Sequence, residues 1–173
     1  MRWFFVLLFI AMFLQNAFTQ GVPAVPDGIK VPGDVKLVLQ GHASGDQIYV
    51  CQAAPSGNSQ LAWVLSAPEA TLVDQAGTEV AKHFAGPTWQ AIDGSQVKGK
   101  VAAQVAPDPD SIPWLLLTAV DHSGAGVLSD VVAIQRINTK GGKAPANGCD
   151  AQHQGEKMRV PYTADYYFYT SVK

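Results

Sequence analysis

Between positions 96 and 106 the chain alternates. Val97, Gly99, Val101, Ala103 and Val105 fall on odd positions, and Lys98, Lys100, Ala102 and Gln104 on even ones. Successive strand side chains point to opposite faces, so this period of two predicts a half-buried strand with its odd residues inward. The segment 88–92 precedes it across Asp93-Gly94, a turn dipeptide, and the two predict a hairpin. Further strands are expected at 36–42, at 47–52 with Tyr49 and Cys51 on one face, and at 61–66. Others are expected at 69–74 after Pro68, and at 78–84 before a Gly86-Pro87 turn. Residues 112–120 form a near-continuous apolar run, as expected of a strand buried on both faces. The segment 128–138 places Val132, Ile134, Arg136 and Asn138 on one face. In 162–171, Tyr166 and Phe168 oppose Tyr167 and Tyr169. About nine short, mainly antiparallel strands at this spacing predict an all-β fold, a single-domain β-sandwich or barrel. The only helix expected is one turn near Pro109, capped by Asp110 or Ser111.

The N-terminus breaks this pattern. Met1-Arg2 leads into an apolar run from Trp3 to Leu14, and a polar stretch follows to Gln20. That order reads as a secretory signal peptide over 1–19. The run is shorter than the ~20 apolar residues that span a bilayer. Residues 20–34, with Pro23, Pro26 and Pro32, read as an extended lead-in to a β domain over 35–173. The mature protein is therefore expected to be secreted or periplasmic, with no stable membrane span after cleavage. In that compartment Cys51 and Cys149, the two cysteines, are expected to pair. Closing so long a loop is worth about 4–5 kcal/mol in the chain-entropy model.

Charge narrows the function classes. Twelve Lys and Arg against fourteen Asp and Glu, without a basic cluster, argue against nucleic acid as a partner. No Gly-x-Gly-x-x-Gly follows a strand, and no Gly-x-Ser-x-Gly elbow is present, so dinucleotide and serine-hydrolase chemistry lack a signature. His42, His83, His122 and His153 are scattered without metal-ligand spacing. Asp108 and Asp110 fall short of the six to eight oxygens that calcium takes. No cofactor and no metal are expected.

Two stretches stand out. In 83–95, Trp89 is placed to stack on a sugar or other flat ligand, with His83 and Asp93 as polar contacts. The structural alternative makes Trp89 core and both dipeptides plain turns. In 159–169, Tyr162 and Tyr166 are candidates to line a cleft. Arg136, in an otherwise apolar strand, is expected either to pair with a carboxylate such as Asp165 or to hold an anion. Trp63 and Trp114 are expected in the core. The leading expectation is a module that binds a small molecule or a saccharide. The alternatives are a hydrolase using Glu69, His83 and Asp93, and a structural or surface-interaction domain.

Several segments together resemble an exported family of bacteria and fungi, the domain of unknown function 3455. They are Gln47-Ile48-Tyr49-Val50-Cys51-Gln52, Ala67-Pro68-Glu69-Ala70, Ala85-Gly86-Pro87-Thr88-Trp89, Ile112-Pro113-Trp114-Leu115-Leu116-Leu117, Ile134-Gln135-Arg136-Ile137-Asn138-Thr139 and the run from Val160 to Tyr169. The resemblance implies a compact exported domain with the Cys51–Cys149 pair, and it implies no activity and no catalytic residues. A dehydrogenase label finds no support in these residues.

Overall fold

A computed structural model describes residues 22–55 and 60–172; the expected signal peptide lies outside them. Eight strands follow in order: β1 Val35–Ala53, β2 Leu61–Val73, β3 Glu79–Phe84, β4 Thr88–Ala91, β5 Gln96–Val105, β6 Trp114–Ser123, β7 Val131–Gly141 and β8 Lys157–Ser171. Each pairs antiparallel with its neighbours in sequence, and β8 returns to pair with β1, closing an up-and-down barrel. Closure gives every strand a paired neighbour on both sides.

The strands number eight because two pairs of expected strands are continuous. The segments 36–42 and 47–52 are both within β1, and 61–66 and all of 69–74 but Asp74 are within β2. Gly45 falls at the middle of β1, where the pattern reads as a break. It is there because β2 comes so close that a Cβ on Gly45 would lie 2.1 Å from the Glu69 carbonyl oxygen. Pro68 survives inside β2 because it sits beside the bulge at Ile48/Tyr49, where the ladder is already interrupted.

A second bulge corrects the face assignment of β5. Between Val101 and Ala103 the register slips by one residue. Val97 and Val101 still point inward, but Gln104 replaces Ala103 on the inner face, and Ala103 and Val105 turn outward. A third bulge, between Val131 and Ala133 in β7, leaves Val132 exposed while Ile134 and Arg136 stay inside.

The barrel therefore has two apolar layers. The interior is filled by Leu72, Trp89, Leu117, Ile134, Tyr166 and Phe168. Outside, the lead-in crosses the sheet and buries Ile29, in a single 3-10 turn Asp27–Ile29, against Ala133, Ile137 and Tyr169. The Gln135 amide fixes this strap: it donates to the Ile29 carbonyl at 2.6 Å and accepts from the Tyr169 hydroxyl at 2.7 Å. Both tyrosine/phenylalanine pairs of β8 are thus core, one inside and one under the strap. β6 is buried on both faces only in its first half. Leu115 and Leu117 point in, Trp114 and Leu116 point out beneath the strap, and Val120 is exposed. Near Pro109 the expected helical turn is replaced by a loop in which Asp108 accepts from the Asp110 amide and the Ser111 hydroxyl.

The two ends differ. At one end the β6–β7 connection inserts Leu128, fully buried, into the core. Asp93 and Ser95 of the β4–β5 turn hold it: Asp93 accepts from the Val127 amide at 2.7 Å, and the Ser95 hydroxyl accepts from the Leu128 amide at 3.1 Å. At the other end Cys51 and Cys149 form a disulfide that ties β1 to the β7–β8 loop across 98 residues. Trp63 packs beside it as core and donates to the Asn147 carbonyl at 3.0 Å.

Candidate functional site

The disulfide end of the barrel is open. Strands β1, β3, β5 and β7 end there and β2, β4, β6 and β8 begin there, so their inward side chains at that end surround one cavity of about 500 Å³. Eight strands give an interior wide enough for side chains or one small ligand, and this volume lies in the ordinary range of ligand pockets. His83, Trp89 and Tyr166 form its base, and Gln47 and Arg136 its polar walls. Leu65, Pro68, Pro87, Val101 and Pro113 make an apolar rim.

The base is an aromatic stack. The His83 ring lies on Trp89 with centroids 4.3 Å apart and planes 4° from parallel. Tyr166 meets Trp89 edge-on at 5.5 Å and Phe168 at 5.9 Å. Gly99 of β5 makes room for this stack, because a Cβ there would touch the Trp89 ring at 3.2 Å. His83 Nδ1 donates to the Thr88 carbonyl at 2.9 Å, which leaves the lone pair on Nε2. Burial holds the imidazole neutral, with its pKa lowered to about 3, against a smaller upward pull from the Thr88 hydrogen bond.

Two donors in this cup have nothing to donate to. Trp89 Nε1 and Gln47 Nε2 are buried without a hydrogen-bond partner, in side chains only 1% and 2% exposed. An orphaned buried donor costs about 1–3 kcal/mol. Arg136 adds charge. Its Nε and Nη2 both donate to the Pro113 carbonyl, at 3.2 and 2.9 Å. Among the described residues no carboxylate pairs with it, and no acidic residue lines the cup.

Four of the six sequence-selected residues, His83, Trp89, Arg136 and Tyr166, share this cavity. Tyr162 lies behind it, buried, with its hydroxyl 3.4 Å from that of Tyr166. Burial raises both phenol pKa values well above the ordinary range. Asp93 is elsewhere, latching the β6–β7 connection at the closed end, where the Ser95 hydroxyl and the Val127 and Ser95 amides lower its pKa. Arg136 does not pair with Asp165. The register sets Arg136 inside and Asp165 outside, where Asp165 bonds His42 at 2.7 Å and Asn138 at 2.8 Å. The trio Glu69, His83 and Asp93 is likewise dispersed: Glu69 pairs with Arg159 outside the barrel at 2.8 Å, His83 is inside, and Asp93 is at the far end. Gln47 and Gln104 were missed. Gln47 shares parity with Tyr49 and Cys51, and a glutamine on that buried face was the available signal.

Fold and site define the class: a closed, eight-stranded up-and-down barrel with a cup open at one end. The chain belongs to the family described as Protein of unknown function (DUF3455), whose profile matches residues 32–170. No curated protein and no solved structure matches the chain.

Proposed function

We propose that this protein is an exported binding protein that holds one small, largely apolar molecule in the open end of its barrel. The observation that carries this reading is a pair of donors, Trp89 Nε1 and Gln47 Nε2, buried without a protein acceptor in two side chains that line a cavity of about 500 Å³. Buried polar groups are satisfied as a rule, so orphans at a cavity point to a partner from outside the chain. The apolar rim favours a small apolar molecule over a saccharide, and one face of Trp89, the ring expected to stack on a sugar, is already covered by His83. Export is supported by the N-terminal pattern, and the Cys51–Cys149 disulfide is compatible with an extracellular location.

The test is a thermal-shift screen of the mature chain against apolar acids, alcohols, amides, sterols and oligosaccharides, with Leu65→Trp as the control. Leu65 stands at the rim and is 52% exposed, so an indole there narrows the mouth without entering the core. A ligand at a hundred times its Kd stabilises by about 2.7 kcal/mol. The expected result is a shift of several degrees with an apolar class, reduced in Leu65→Trp. A screen blank in every class, or shifts equal in both proteins, would sink the proposal.

A further inference from the structure

Building on that reading, we infer that the ligand carries a single carboxylate, or an equivalent monoanionic head with acceptors only, held between Gln47, Trp89 and Arg136 with its apolar body toward the rim. Three features of the cup lead there. Both orphaned groups, the Trp89 indole N–H and the Gln47 amide nitrogen, are donors, so what they lack is an acceptor. The charged side chain lining the cup is Arg136, and no carboxylate offsets it among the described residues. Arg136 is partly buried, and an anionic ligand would supply the counter-ion that the cup lacks. His83 is neutral and adds no second positive charge, so the cup matches one negative charge rather than two.

Arg136 is also prepared for this task. Its two hydrogen bonds donated to the Pro113 carbonyl anchor one edge of the guanidinium, through Nε and Nη2. The guanidinium also meets the Tyr166 hydroxyl, which lines the same cup. A planar guanidinium held in this way presents fixed N–H directions to a carboxylate. The rim then sorts the rest of the molecule: Leu65, Val101, Pro68 and Pro113 offer hydrocarbon, and a second charge there would have no partner.

The experiment compares decanoate, 1-decanol and decanamide, three ligands with one body and different heads, by isothermal titration calorimetry on the full mature chain below their aggregation concentrations. Decanoate is expected to bind at least tenfold tighter than either neutral analogue. Arg136→Gln is expected to remove that preference by weakening decanoate alone, with its folding checked by circular dichroism. Gln47→Met is the second variant. It is expected to weaken decanoate severalfold while raising the melting temperature of the free protein, because it removes an orphaned donor; a purely structural glutamine would lower both. Equal affinity for the three ligands, or a preference that survives in Arg136→Gln, overturns the carboxylate head and leaves the binding cup standing. Absence of binding by all three overturns the head assignment, and the thermal-shift screen then decides whether the cup binds at all.

Discussion

His83 shows how much one side chain fixes. It is buried on the inner face of β3, stacked on Trp89 and hydrogen-bonded to Thr88. In the unfolded chain it takes a proton near pH 6.5, whereas in the barrel it does so only near pH 3. Between those values the unfolded state binds more protons, so stability is full above 6.5 and falls as the pH drops toward about 3. Each pH unit in that window withdraws up to about 1.4 kcal/mol. His83→Phe keeps a flat ring but cannot titrate. Urea denaturation should find it about 1–2 kcal/mol less stable than wild type at pH 7, from the lost hydrogen bond, and closing that gap by pH 4.5. An unchanged gap at both pH values would contradict the buried neutral imidazole. The same scale shows what could be read from the chain. An imidazole, an indole and a guanidinium amid apolar residues mark an unusual environment, and His83, Trp89 and Arg136 do meet in the cup. Asp93 looked equally distinctive, but a carboxylate before glycine also caps a turn through its own backbone neighbours, as it does here with Ser95. Sequence spacing does not separate those uses.

At the scale of elements, alternation located the strands well, because inner and outer faces differ in polarity over most of the barrel. It failed at bulges. One extra residue in β5 reverses every later side chain, and nothing in Val101-Ala102-Ala103 advertises that. It also failed where β1 and β2 run long through Gly45 and Pro68, residues that ordinarily end strands. Gly45→Ala tests the close approach that explains the glycine. Alanine suits a strand better than glycine in general, yet here its methyl would collide with β2. The expected result is a loss on the order of 3 kcal/mol or more in chemical denaturation; a neutral or stabilising change would refute the contact. The strap makes a different prediction. Removing residues 22–33 uncovers Ala133, Ile137 and Tyr169 and leaves the Gln135 amide without the Ile29 carbonyl. This should lower the melting temperature by several degrees. Ligand affinity should stay within about twofold, since the strap lies outside the barrel and the cup inside.

For the whole molecule, closure is the governing fact. Each strand is paired on both sides, so releasing any one exposes two new edges and opens the interior. Unfolding followed by tryptophan fluorescence and by far-UV circular dichroism should therefore give coincident single transitions. The disulfide reinforces the open end. Cys51 also takes part in backbone bonds with Gly155 and Glu156, at 2.8 and 3.0 Å, so the β7–β8 loop is docked beside the cup by two kinds of tie. Replacing both cysteines by serine should cost about 2–4 kcal/mol while preserving the coincidence of the two probes.

The plug formed by Leu128 and its Asp93–Ser95 latch settles a question of traffic. A tube open at both ends can pass its contents along, but a thimble cannot. Whatever enters past Leu65 and Val101 must turn around and leave the same way, so loading and unloading compete for one doorway. On the proposed function, such a vessel would store or ferry single molecules and not conduct them, with its rate of exchange set by the few side chains that frame the entrance.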